Sequence, residues 1–228
     1  MDHNRTLQHH RLRHRYLLIV IILGFLLWAG IDLFGPRQSD LREFNSAAVA
    51  RLETNMWRSY YDRQQVRMFF QLANLLRTQY RVPFLRSNLI AFEGAKAAVV
   101  FKDGKQRSDY DRALPDLIRY YDAIRRMSST SFDVNDVAKL ELEWWIVHRE
   151  RNTYGRDALD RSLAELQSAI YSLPIDRFME HGRLRAEAML LRDTKLETGG
   201  VSESDWATIY DLLRQSWSEL WTQVHRDS

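Results

Sequence analysis

The chain has 228 residues, a formal net charge of +3 and no cysteine. Disulfide staples, iron–sulfur clusters and thiol nucleophiles are therefore excluded. The charge is local: the first fifteen residues hold four of the 33 basic groups against one of the 30 acidic ones, so the remainder is balanced and lacks the concentrated basic face of a nucleic-acid partner.

Residues 1–15 form a basic tail with Arg5, Arg11, Arg13 and Arg15 against Asp2. Residues 16–34 then read as one apolar span, broken only by Asp32. Nineteen residues at 1.5 Å each cover about 28 Å, roughly one hydrocarbon core, so the span predicts a helix in a lipid bilayer. A cleaved signal peptide is the rival reading. Its apolar core is usually shorter and ends in a small-x-small site, which Trp28-Ala29-Gly30 does not supply. The positive-inside bias keeps the tail cytoplasmic and puts residues 36–228 on the far side. Basic residues are overwhelmingly arginine, with only five lysines, which we read as the codon bias of a GC-rich bacterial genome. The far side is then a periplasm and the membrane an inner membrane.

Past Pro36 the periodicity is helical and glycine and proline are scarce. Ser39 or Asp40 is expected to cap a long helix reaching residue 80. Its first stripe is Leu41, Phe44, Ala48, Leu52 and Met56; its second is Val66, Phe69, Phe70, Ala73 and Leu76. The shift between stripes predicts a bend or a change of partner. Pro83 opens a second helix to residue 102. Within it, the apolar run 89–101 carries only Glu93 and Lys96, spaced to pair with each other, and reads as the central helix of a bundle. A helix from Ser108 or Asp109 reaches residue 127, kinked or split at Pro115. Asp133 caps a helix to residue 151, Asp157 begins one that ends before Pro174, and another runs from Pro174 to residue 195. Gly199-Gly200 stops it. Ser202 or Ser204 caps the last helix, whose seam is Trp206, Tyr210, Leu213, Trp217, Leu220 and Val224, widened by Trp221. The expected fold is all-α: one transmembrane helix followed by a bundle of about six helices.

Chemistry-bearing residues are few. Glu141, Trp145 and His148 share one helix face, and the expected partners are an arginine of a neighbouring helix for Glu141 and a hydrogen bond inside the bundle for His148. His181 precedes Gly182, whose missing Cβ suits a close helix crossing. A looser metal site could draw on Glu93, Glu141, His148, His181 and Glu187, but Glu-x-x-His and His-Glu-x-x-His spacings are absent, so no metal or other cofactor is expected. Nucleophile elbows and phosphate-cradling glycine loops are absent as well, which argues against an enzyme. Aromatic pairs remain. Trp57, Tyr61, Tyr121, Trp144 and Trp221 are the candidate partner-binding residues, because adjacent aromatics on a helix diverge by about 100° and one of each pair is pushed toward the surface. The expected function is an accessory, scaffold or assembly subunit bound to the bilayer through residues 16–34 and to another membrane or periplasmic protein. The alternatives are a helical-bundle metalloprotein and a sensor with a small ligand between its helices.

Overall fold

The structure, a computed structural model, describes residues 3–226. The basic-tail reading for Asp2, Arg5 and Arg11 falls on side chains outside that description. Among the described residues the chain is helical throughout, apart from turns and one isolated β-bridge.

Helix α1 (His3–Phe34) contains a 22-residue stretch, Arg13–Phe34, long and apolar enough to cross a membrane, with a mean hydropathy of 2.6 in its best window and none of that window buried. The chain next runs as a linker to Asn45, whose side chain caps α2 (Ser46–Tyr61) by accepting from Ala48 N at 2.8 Å. The linker is stitched to a distant loop: Ser39 N donates to Met127 O at 2.7 Å, and Ser129 N to Ser39 O at 3.0 Å.

The long helix expected up to residue 80 is two helices. The chain turns at residues 62–64, with Arg63 in the left-handed region at φ 59°, and α3 (Gln65–Tyr80) packs back on α2. A straight helix cannot direct two offset stripes at one core; folding it in half can. The buried lines also differ from those expected. Helix α2 buries Val49, Ala50 and Glu53, while α3 buries Met68, Ala73, Leu75, Leu76 and Gln79 and leaves Val66 and Phe70 exposed.

Helix α4 (Phe84–Asp103) follows Pro83 and ends at Gly104. It is not central: Leu89, Phe92 and Val99 line up on an exposed face. Glu93 and Lys96 do not pair with each other. The helix Leu114–Arg126 lies alongside and offers better partners, so Glu93 bonds Arg119 and Lys96 bonds Asp116, both at 2.9 Å. Before α6 come a short α5 (Arg107–Tyr110) and a 3-10 turn, as Pro115 foretells by sitting in the first turn of α6 (Leu114–Arg126). Asp133 caps α7 (Val134–Arg149), which a short α8 (Arg151–Tyr154) follows. Then come α9 (Arg156–Tyr171), a 3-10 turn after Pro174, and α10 (Met179–Glu197). Ser202 and Asp205 form a capping box at the start of α11 (Glu203–His225).

Helix α10 holds the centre, packed between α9 and α11. Gly182 makes the α9 crossing possible: a Cβ there would lie 2.2 Å from Asp160 O. The seam of α11 is buried at Trp206, Ile209, Leu213, Trp217, Leu220 and Val224. Trp221 does not widen it; the ring is exposed and stacks on His225 at 4.3 Å.

The end of α1 is joined to α4. Pro83 has no side-chain acceptor with which to cap α4, and Asp32 takes that place. Its Oδ1 accepts from Leu85 N at 3.0 Å and Arg86 N at 3.2 Å. Arg86 returns the contact, donating from Nε to Asp32 O at 3.0 Å and from Nη2 to Gly35 O at 2.9 Å. The carboxylate at a helix N-terminus is favoured by the dipole as well as by these bonds.

Candidate functional site

Between α2, α3, α4, α6, α7, α9 and α10 the bundle forms a partly open cavity of about 450 Å³, with Trp217 of α11 on one wall. Such a volume falls in the range of small-molecule sites, roughly 300–1,000 Å³. The wall combines aromatic rings, aliphatic side chains and polar groups, the last arranged in two layers.

The inner layer is built on Glu53, which is 2% exposed. Its Oε1 accepts from Arg185 Nε at 3.1 Å and Nη2 at 2.6 Å, and its Oε2 accepts from Trp217 Nε1 at 2.5 Å. Burial works against the Arg185 charge, but Glu53 and Glu141 outweigh it and hold the guanidinium pKa above its ordinary value. The same guanidinium lies over the Trp144 ring, 5.2 Å from its centre. Glu141 finds no arginine in direct contact. Its oxygens accept from Tyr121 OH at 2.7 Å and Trp145 Nε1 at 2.9 Å, the latter one turn along its own helix. Burial drives the hydroxyls of Tyr80, Tyr120 and Tyr121 well above the usual phenol range, so all three stay protonated.

The outer layer is built on Asp193. It accepts from Arg192 Nη1 at 2.7 Å, contacts His148 Nε2 at 3.0 Å, and has Arg151 Nη1 at 3.4 Å. Burial raises the Asp193 pKa, but the bond to His148 and the charges around it prevail and leave it below the usual carboxylate value. Arg192 also stacks on Tyr61. Burial lifts the Tyr61 hydroxyl to about 12. Arg149 braces the far side by donating to Phe101 O at 2.8 Å and Gly104 O at 3.0 Å while lying over the Phe101 ring. Two donors of the wall are buried with no partner: Trp144 Nε1 and Arg192 Nε.

Four of the five aromatic candidates, Trp57, Tyr61, Tyr121 and Trp144, converge on this cavity; Trp221 does not. The five metal candidates are dispersed. Glu141 and His148 reach the cavity wall with the partners given above. Glu93 is held by Arg119, and Glu187 by Arg183 at 2.9 Å. His181 is fully buried, with Nδ1 3.0 Å from Ser216 O. Among the described residues no three histidine, aspartate or glutamate side chains are grouped to hold a metal ion.

Sequence reasoning passed over Glu53, Arg185, Arg192 and Asp193. For Glu53 the signal was present: it lies four residues after Val49, on the same face, but an apolar stripe search steps around an acid. For the α10 residues the signal was weak, because arginine and aspartate at that density look like a solvated face.

A comparison with protein-family models, with curated proteins and with solved structures finds no match to this chain.

Proposed function

We propose that this is a single-pass protein of a bacterial inner membrane whose periplasmic bundle binds a small amphipathic ligand in the α2–α7–α10 cavity. The role is binding rather than catalysis. The observation that carries the reading is the aromatic cavity itself, with its buried charges already fixed by partners and two N–H groups left over. Acids and histidine in the wall are held in place by hydrogen bonds, as suits a receptor that positions a ligand. The joint between Asp32 and the start of α4 ties the bundle to the anchor and so keeps the cavity near the bilayer.

The test is a thermal-shift screen of the full chain in lipid nanodiscs against aromatic and lipid-derived compounds. A binder is expected to raise Tm in the native protein and to lose that effect in Ala98→Phe, which fills the cavity. If no compound raises Tm, the reading falls. Topology is tested by a reporter fused after Ser228 that is active only in the periplasm; activity of a cytosolic reporter there overturns the assignment of compartment.

The exposed line Leu89, Phe92 and Val99 on α4 favours a second reading, an accessory or assembly subunit that docks on a membrane neighbour. A photo-crosslinker at position 92 in native membranes is expected to yield one discrete protein adduct. Lipid adducts alone would remove this reading.

A further inference from the structure

Among the fully buried polar atoms of the wall, those without a partner are of one kind. Glu53 and Glu141 each accept from two donors or more, and Asp193 is flanked by Arg192, His148 and Arg151. The buried groups left without a partner in the wall are both donors, Trp144 Nε1 and Arg192 Nε. Arg192 is only 7% exposed, so its idle N–H is shielded from solvent. A buried N–H without an acceptor costs about 1–3 kcal/mol, and a ligand that supplies the acceptor recovers it.

The charge balance points the same way. The lining residues include four guanidiniums, on Arg149, Arg151, Arg185 and Arg192, against three carboxylates, on Glu53, Glu141 and Asp193. The protonated Tyr80 and Tyr120 hydroxyls contribute further donors. The rest of the wall is aromatic and aliphatic apart from the amides of Gln79 and Gln167. The two idle groups stand on adjoining walls, α7 and α10, which are tied in register by the Trp144–Arg185 and His148–Asp193 contacts.

We propose that the cavity selects a monoanionic amphiphile, a carboxylate head on an apolar body, with the head received by Trp144 Nε1 and Arg192 Nε. This rests on the ligand-binding reading above and deepens it. Arg151 is also held by Glu197 outside the cavity at 2.9 Å, so the head is drawn by Arg192, and charge-assisted bonds from guanidinium and indole to carboxylate are the strong class. Either an aliphatic acid from the bilayer or a soluble aromatic acid carries this chemistry.

The experiment is titration calorimetry on the full chain in nanodiscs with 1-naphthoate, its neutral analogue 1-naphthamide, the cationic 1-naphthylmethylammonium, and dodecanoate, with empty nanodiscs as blank. Naphthoate is expected to bind at least about tenfold more tightly than the amide, and the ammonium not at all. Dodecanoate competing with naphthoate supports the proposal with a lipid source; naphthoate binding without that competition supports it with a soluble one. Arg192→Gln, which keeps an N–H but removes the charge, is expected to weaken naphthoate about tenfold and the amide less than threefold. Trp144→Phe, which keeps the ring and removes the donor, is expected to weaken both. An amide or ammonium that equals naphthoate overturns the anion assignment and leaves ligand binding standing. Failure of all four probes overturns both.

Discussion

Helices α4 and α10 change places between sequence and structure. The α4 segment is the more apolar, with Leu89, Ile90, Phe92, Val99, Val100 and Phe101 in one stretch, yet Leu89 is 61% exposed and Phe92 59%. The α10 segment carries Arg183, Arg185, Arg192, Asp193 and three glutamates, yet His181, Gly182, Ala186 and Ala188 on it are fully buried or nearly so. What places a helix is the supply of partners, not its mean hydropathy. Helix α10 has a glycine where α9 must approach, and a carboxylate waiting for Arg185. Helix α4 is covered on two sides by α3 and α6 and keeps its third side open beside the end of α1. A polar helix is held at the centre by its ion pairs, and an apolar helix is left with one face open.

The largest effects are expected where α10 depends on its partners. Arg185→Met leaves Glu53 buried with only Trp217 as a donor, and should cost about 3–5 kcal/mol in urea unfolding. The double variant Glu53→Leu, Arg185→Met should recover much of that loss, because it removes the stranded charge along with its partner. A double variant no more stable than Arg185→Met would show that the arginine acts through packing alone. Gly182→Ala places a methyl against Asp160 O, a backbone atom that no rotamer change can move aside, and should cost about 3 kcal/mol or prevent folding.

The centre should also respond to acid. His181 is fully enclosed, donates Nδ1–H to Ser216 O and leaves Nε2 without a partner, and burial lowers its pKa to about 3. The unfolded imidazole protonates near 6.5, so acid favours the unfolded chain. The folded state is at full strength above that pH and loses stability as pH falls below it, by about 3 kcal/mol at pH 4.5. Asp193, held below the usual carboxylate range, withdraws its own contribution only at still lower pH. Urea midpoints at pH 7.5 and 4.5 should therefore differ by less in His181→Leu than in the native chain, and an unchanged difference would place the acid sensitivity elsewhere.

The all-α class, the long apolar N-terminal helix and several helix ends are legible in the sequence, because each is set by local chemistry. Asp133 and Ser202 cap the helices they precede, Pro36 and Gly199-Gly200 separate elements, and Gly182 signals a close crossing. The break at residues 62–64 is not legible, since neither glycine nor proline stands there and Arg63 takes the left-handed conformation under tertiary demand. Nor is the cap that Asp32 gives α4 from 53 residues away. The aromatic candidates were found because aromatic pairs are conspicuous. Their common destination was not, because the cavity is defined by Glu53 and Arg185, residues separated by 132 positions that the fold alone brings together.

The smallest effect separates the two helices most cleanly. Phe92 on α4 is open to solvent in the folded bundle, so Phe92→Ala removes little burial and should shift stability by no more than about 0.5 kcal/mol in detergent-purified protein. Met189 on α10 is packed with Val147, Leu159 and Leu163, and the comparable Met189→Ala should cost about 2–5 kcal/mol. The contrast holds only while α4 has nothing on its open side. Measured again by pulse proteolysis in native membranes, a Phe92→Ala cost that rises toward the Met189→Ala cost would mean that a neighbour covers the stripe there, and that α4 is buried in the assembly although it is bare in the isolated chain.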